Sequence, residues 1–496
     1  MAKKTINKEL TGAQDLYNFL FEACNIIRGP VSQDNFKDYI TPLLYYKRIS
    51  DVYDEETEEA LISSGGDKEY AYLPEQHRFV IPDGCHWQEV RERTENFGAA
   101  IVGAMRQIEI ANPDTLYGVL SMFSSQKWTN KAILNDSKIR DLIEHLSKRK
   151  LGNKDYPADL MGDAYEILLK KFADDSKAQA GEFYTPRSVV RLLVHILDPQ
   201  PGETVYDPAC GSGGMLIEAI RYMHDDSLCC GSIFGQEKNV VNAAIAKMNL
   251  FLHGASDFNV MQGDTLRDPK ILQGGNIAKF DCVIANPPFS LENWGATEWS
   301  SDKYKRNIYG TPSDSCGDYA WIQHMICSMV SGQGRMAVVM PQGILFRNQE
   351  TEIRKQLVES DLIEAVVTLG DKLFYGTGLS PCFLIIRRMK PAHHSGRILM
   401  IDGSKILTQK RAQNILEEND IDRLYSLYQN YSDEEDYSRI VTLQEIRDKE
   451  YNLSPNRYVV YHKEEIRPYA EVLAEFKHAY EEVKRLEEEF SLLINA

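Results

Sequence analysis

A chain of 496 residues is long enough for two or three domains with substantial cores, and a composition of 43% hydrophobic and 26% charged residues is that of a folded globular protein. The formal net charge of −17 excludes a protein that grips nucleic acid over its whole surface, so a polyanionic substrate needs a local basic surface or a basic partner. The nine cysteines form no Cys-x-x-Cys pair, and neither a membrane-length apolar run nor a signal-peptide pattern is seen, which predicts a cytoplasmic protein without disulfides, metal or membrane.

Residues 1–175 read as a mainly helical domain. Leu16, Leu20, Ala23, Ile26 and Ile27 recur at helical spacing, and Tyr39 to Ile49 gives a second amphipathic stretch. The acidic run Asp51 to Glu59 lacks a histidine or a rigid spacing and reads as a solvated face. Tyr70 to Trp87, rich in Pro, Gly and aromatics, is an irregular insertion, and helical patterns resume at Glu89 to Ile110 and Leu142 to Lys170. Lys148-Arg149-Lys150 is either a solvated helix end or a phosphate contact.

Between residues 176 and 405 strands and helices alternate. Thr204 to Asp207 is a short strand running into Pro208-Ala209-Cys210-Gly211-Ser212-Gly213-Gly214 and then a helix, Met215 to Met223. Strand, glycine turn and helix form a cofactor site of nucleotide type, since glycines admit a ligand close to the backbone and the helix start offers free N–H groups. The turn has neither the full dinucleotide fingerprint nor the Gly-Lys-Ser/Thr of a phosphate-cradling loop, which ranks hydride transfer and ATP hydrolysis lower. The next strand ends at Glu237, placed for ribose hydroxyls, and a third, Phe258 to Gln262, ends in Gly263-Asp264.

A fourth strand, Cys282 to Ala285, is stopped by Asn286-Pro287-Pro288-Phe289. Two prolines remove two N–H donors, so the turn presents acceptors beside an amide and an aromatic ring. A flat group bearing NH₂ fits there, its amino hydrogens accepted by Asn286 and the Pro287 carbonyl while Phe289 stacks. A tight strand-to-loop turn with a packed Phe is the bland alternative. Four successive strands finishing in Asp207, Glu237, Asp264 and Asn286 nonetheless place one crevice at their carboxyl ends. The following loop, residues 291–316, carries Lys303, Lys305 and Arg306 among aromatics and reads as either a nucleic-acid contact or a lid. Further strands are expected at Arg335 to Met340, Ile363 to Leu369 and Cys382 to Arg388, with an edge or connecting strand at Ile398 to Ile401.

Residues 406–496 read as a polar, helical C-terminal region. Leu473, Phe476, Tyr480, Val483, Leu486, Phe490 and Leu493 follow 3- and 4-residue steps, a stripe to be buried on its own chain or on partner helices.

Gly181-Glu182-Phe183-Tyr184-Thr185-Pro186-Arg187, Asp207 to Gly214 and Asn286 to Phe289 resemble the S-adenosylmethionine-dependent adenine-N6 DNA methyltransferases, most closely the modification subunit of type I restriction-modification systems. Tyr39 to Ser50 resembles that family's N-terminal helical domain and Asn452 to Tyr458 its C-terminal signature, so the likeness spans nearly the whole chain. It implies an α/β methyltransferase fold, Rossmann-like, with a mostly parallel seven-stranded sheet carrying one antiparallel strand near its edge.

The same resemblance implies that Glu182, Phe183, Tyr184, Thr185, Pro186 and Arg187 line the methionine end of S-adenosyl-L-methionine. Asp207, Gly211, Ser212, Gly213 and Gly214 would lie in the cofactor-binding turn, with the glycine run beneath the cofactor. Glu237 would hold the ribose, Asp264 the cofactor's adenine amino group, and Asn286, Pro287, Pro288 and Phe289 the flipped target adenine of double-stranded DNA. Cys210 departs from the small residue expected beside the glycines and suggests thiol sensitivity. Nothing after the sheet resembles a large basic DNA-reading domain, so recognition is expected to be delegated; the resemblance implies a separate specificity subunit bound by two modification subunits, with a restriction subunit in the full complex. Protein-glutamine, ribosomal RNA guanine and cytosine-N4 methyltransferases, and a catalytically silent scaffold, stand as alternatives; the N-terminal domain, the C-terminal signature and the intact Asn286 and Phe289 disfavour them.

Overall fold

The computed structural model describes residues 2–116, 118–120, 128–175, 185–223, 231–255, 257–374, 380–410, 413–462 and 469–494. Long helices at Ala2–Ile27, Lys37–Ser63, Phe97–Ala111, Asp136–Leu146 and Ala158–Asp175 build the N-terminal domain. Their apolar faces share one core, in which Leu16, Leu20, Ile40, Leu44 and Ile101 are buried together with Met248, Phe251 and Leu252 of the helix Val240–Leu252. Phe251 accepts the edges of Tyr45 and Phe79, and the Arg78 guanidinium lies 4.7 Å from its ring centre. The two domains are therefore joined through a continuous apolar contact.

Part of the acidic run is not solvated. Asp51 and Glu55 are buried, and their carboxylates accept the backbone N–H groups of Leu151 (2.6 Å), Asn153 (2.6 Å) and Lys154 (3.1 Å). The buried Arg48 donates to the carbonyls of Leu151 and Tyr156 and to Asn153. Buried backbone groups must be paired, and here side-chain charges do what a ladder does elsewhere. Arg149 lies over the Phe19 ring and pairs with Asp15 at 2.6 Å, so it is engaged within the fold.

The strands are β1 Val205–Asp207, β2 Ile233–Glu237, β3 Phe258–Gln262, the small hairpin β4 Leu272–Gln273 and β5 Asn276–Ile277, β6 Cys282–Ala285, β7 Arg335–Pro341, β8 Ile363–Leu369, β9 Pro381–Arg387, β10 Arg397–Gly403 and β11 Ser438–Thr442. Apart from the hairpin they form one sheet in the order β11-β10-β8-β9-β7-β6-β1-β2-β3. Its central strands are buried on both faces, which suits their near-continuous aliphatic runs.

This corrects the expected seven strands with one antiparallel near the edge. Among the described residues the sheet has nine strands, β9 runs antiparallel between β7 and β8, and β10 and the antiparallel β11 extend the sheet beyond them. The miss has a physical cause: β11 is an edge strand of five residues with only Ile440 and Val441 aliphatic, too short to impose a period. The region after residue 405 also divides in two. Ile421, Leu424 and Leu427 of the helix Glu418–Asn430 pack in the sheet's core with Val189, Leu193 and Ile196 of Arg187–Leu197. The helix Tyr469–Ile494, by contrast, leaves Phe476, Tyr480, Val483, Leu486 and Phe490 more than half exposed. None of the helices, among the described residues, is long and apolar enough to cross a membrane.

Candidate active site

β1, β2, β3 and β6 run parallel, so the residues after their last positions meet on one side of the sheet. Asp207 closes β1 and is buried; its Oδ1 accepts the Ala209 N–H at 2.9 Å. Burial pushes its carboxyl up to about 8, against the pull of that N–H, and the neighbouring negative charge of Glu237 adds to the rise. Gly211 follows with φ of 53° and open space where a Cβ would sit, a left-handed conformation that glycine adopts without strain. Its N–H donates to Glu237 Oε2 at 3.0 Å, and the Asn239 N–H donates to Oε1 at 2.7 Å. Glu237 is thereby aimed at the glycine turn, with lone pairs left for further donors, and burial raises its pKa.

The rest of the turn is braced from below. Gly213 donates to the Cys210 carbonyl at 2.7 Å, and Asn249 Nδ2 donates to the Ser212 carbonyl at 3.0 Å. Gly214 opens the helix Gly214–Met223. Cys210 is buried and its thiol is held well above its ordinary pKa by that burial, which opposes formation of a reactive thiolate. Asp264, half-buried, pairs with Lys238 at 2.8 Å and accepts the Arg267 N–H at 3.3 Å. It stands beside the crevice with a cation already on it.

At the end of β6 the amide of Asn286 is fixed by a contact the sequence does not announce. Its Nδ2 donates to Thr185 Oγ1 at 2.8 Å, which turns Oδ1 the other way. That oxygen is buried and has no hydrogen-bond partner among the described residues. A buried acceptor left unpaired costs about 1–3 kcal/mol, which makes this oxygen a candidate acceptor for a ligand's donor. Pro287 is buried, Pro288 exposed, and Phe289 half-buried with its ring 6.3 Å from Phe374. Ser290 then takes φ of 50° and donates its N–H to Asp318 Oδ1 at 2.7 Å.

Thus Asp207, the glycines, Glu237, Asp264, Asn286 and Thr185 are gathered at the strand ends. Arg187 points elsewhere: with Arg221 it pairs with Asp163, at 2.9 and 2.6 Å, tying the first helix of this domain to the N-terminal one. Pro186 starts that helix, and Glu182, Phe183 and Tyr184 lie outside the described residues. In the loop after the turn Arg306 is buried rather than presented to a ligand. It pairs with Asp302 at 2.7 Å, donates to the Thr265 and Leu266 carbonyls and lies 4.5 Å from the Trp299 ring, which leaves Lys303 and Lys305 as the loop's exposed cations.

A mostly parallel sheet with a glycine turn after β1, an acid after β2 and an amide turn after β6 defines a methyltransferase of the nucleotide-cofactor class. A family model described as N-6 DNA methylase matches residues 156–466, and one for an HsdM N-terminal domain matches residues 16–146. The chain is 35% identical over 471 residues to the methylase subunit of the type I restriction enzyme MjaVII of Methanocaldococcus jannaschii, covering 90% of this chain and 78% of that one. With the HindI methylase subunit of Haemophilus influenzae it shares 31% over 360 residues, 70% of this chain and 76% of the other. The crystal structure of a type I restriction-modification methyltransferase subunit from Streptococcus thermophilus superposes with a TM-score of 0.78 at 26% identity, covering 91% of this chain and all (100%) of that one. The chain belongs to the N-6 DNA methylase family of type I restriction enzyme methylase subunits.

Proposed function

We propose that the chain is the modification subunit of a type I restriction-modification system, transferring a methyl group from S-adenosylmethionine to N6 of an adenine flipped out of duplex DNA. The observation that carries this is the Asn286 amide, oriented by Thr185, whose buried Oδ1 has no partner among the described residues. The residues fit the cofactor: Gly211 leaves open space over the turn, Glu237 has lone pairs for ribose hydroxyls, and Asp207 adds a carboxylate beside a cationic ligand. S-adenosylmethionine supplies an electrophilic methyl group on a sulfonium.

The chain's own part is positioning. Asn286 Oδ1 and the Pro287 carbonyl accept the two amino hydrogens of the adenine, which directs the nitrogen lone pair toward the methyl group, while Phe289 stacks on the ring. No strong base is required: as the N–CH₃ bond forms and the S–CH₃ bond breaks to leave a neutral thioether, those acceptors hold the amino protons while positive charge grows on the nitrogen, and the surplus proton passes to solvent afterwards.

Double-stranded DNA is the substrate, sequence recognition falls to a specificity subunit holding two copies of this chain, and a restriction subunit joins the full complex in the cytoplasm. The exposed apolar stripe of Tyr469–Ile494 is the surface for that docking. Incubating the assembled complex with labelled cofactor and duplex DNA, then digesting to nucleosides, tests the reading. Label is expected on N6-methyladenine and is expected to fall about 100- to 1000-fold with Asn286→Ala while cofactor binding persists. Label on cytosine, or in RNA or protein alone, would overturn it.

A further inference from the structure

The turn that holds the target base is fixed at its exit by a buried charged network outside the strand-end site. Asp318 opens the helix Asp318–Ser328 and is fully buried. One oxygen of its carboxylate accepts the Ser290 N–H at 2.7 Å and the other accepts the Arg347 guanidinium. Arg347 has Nη1 3.1 Å from Cys316 Sγ and Nε 3.1 Å from the buried Glu350 carboxylate, the latter a charge contact without a hydrogen bond. Its carbonyl accepts Arg354 Nη1 at 2.9 Å. Beyond Ser290 the chain stays paired to the segment before Asp318: the Gly317 N–H donates to the Leu291 carbonyl (3.0 Å) and the Asn293 N–H to that of Asp314 (2.9 Å).

Packing alone does not call for this arrangement, since a buried carboxylate is tolerated only when paired and an apolar residue would fill the space at lower cost. What the carboxylate does is specific. Ser290 follows Phe289 directly and has φ of 50°, a conformation that a non-glycine residue keeps only when its surroundings impose it. The bond to Asp318 imposes it, and so sets the direction in which the Phe289 ring and the Pro287 carbonyl leave the strand.

We propose that Asp318, oriented by Arg347, is a positioning residue for methyl transfer, which locks Ser290 in the left-handed conformation and thereby holds the Asn-Pro-Pro-Phe turn in its base-accepting shape. This rests on the reading of the chain as an adenine methyltransferase. Asp318 touches neither substrate nor cofactor, so its loss acts on the rate of transfer and leaves the glycine turn alone.

The test uses the complex with its specificity subunit and duplex DNA, measuring the single-turnover rate, cofactor Kd and melting for each variant. Methylation of adenine by the unsubstituted complex is read first, so failure of the functional reading appears before any variant is made. Asp318→Ala is expected to slow transfer about tenfold or more with cofactor Kd within about twofold. Adding Ser290→Gly, which takes φ above zero without the carboxylate, is expected to recover about fivefold or more of that loss. A purely structural role would not show such rescue. Should Asp318→Ala melt as an unfolded chain, the same comparison is read on the isosteric Asp318→Asn with and without Ser290→Gly. A rate within threefold of the unsubstituted complex, a matching loss of cofactor affinity, or no rescue by glycine would each overturn the proposal.

Discussion

Two clusters of buried polar groups, one in each domain, differ in what answers them. In the N-terminal domain Arg48, Asp51 and Glu55 are turned onto the backbone of residues 151–156, and their charges are answered from within the chain. At the strand ends of the catalytic domain Asn286 Oδ1 has no partner among the described residues, the Asp207 carboxyl is buried beside Glu237, and Gly211 has open space where a Cβ would sit. The first pattern holds a fold together; the second leaves hydrogen-bonding capacity for a ligand. Buried charge is therefore not by itself a mark of a ligand site, and capacity left open for a ligand is what sets the strand ends apart.

The largest effect on stability should come from breaking the satisfied side. Arg48→Ala leaves the Leu151 and Tyr156 carbonyls without their donor and removes positive charge near Glu55, while Asp51 keeps Lys47; it is expected to cost about 2–3 kcal/mol in urea unfolding, while cofactor affinity per folded molecule stays within about twofold. A loss of affinity equal to that of a site variant would erase the contrast.

Asp207 sharpens the comparison through pH. Its folded pKa of about 8 lies above the unfolded value of roughly 3.9, so its contribution to stability is full below the unfolded value and is lost as pH rises through about 8. Asp207→Asn should therefore melt like the unsubstituted chain near pH ~4 and increasingly above it as pH rises toward ~8, the gap levelling off beyond that. Cofactor, being cationic, favours the carboxylate, so binding should release a proton and tighten between about pH 6 and pH 8 in the unsubstituted chain only. Calorimetry in buffers of different ionisation enthalpy reads that proton directly.

The smallest effect is expected in the loop after the amide turn. Lys303→Gln with Lys305→Gln should leave melting unchanged and weaken DNA binding only about two- to tenfold, with a shallower salt dependence. Arg306→Gln should instead lower the melting temperature, because its guanidinium is buried among Asp302, Trp299 and two carbonyls.

Much of the site was legible because it is local in the chain. A strand, its glycine turn and the following helix occupy Val205 to Met223, and the strand before Asn286 announces itself by a short apolar run and two prolines. Illegible were the contacts that join distant segments. Thr185 meets Asn286 across 101 residues, and Ser290 meets Asp318 across a loop of 28. No period or propensity encodes such a pairing. Arg306 looked like a cation offered to a ligand for the same reason, since composition records a charge and not the carbonyls gathered round it. In the sheet, the aliphatic central strands were read and the polar edge was not, because an edge strand needs only one apolar side.

The helix Tyr469–Ile494 is 26 residues long, about 39 Å, and shows its aromatic and aliphatic stripe to water. If this helix docks on a partner subunit as proposed, such a surface would make the ratio in which subunits are synthesised matter to the lifetime of the chain. Chains made in excess of a partner would carry a sticky rod that invites self-association and proteolysis, whereas chains captured at once would hide it. Subunit balance in the cell would then be enforced by the chemistry of one helix, without any dedicated regulator.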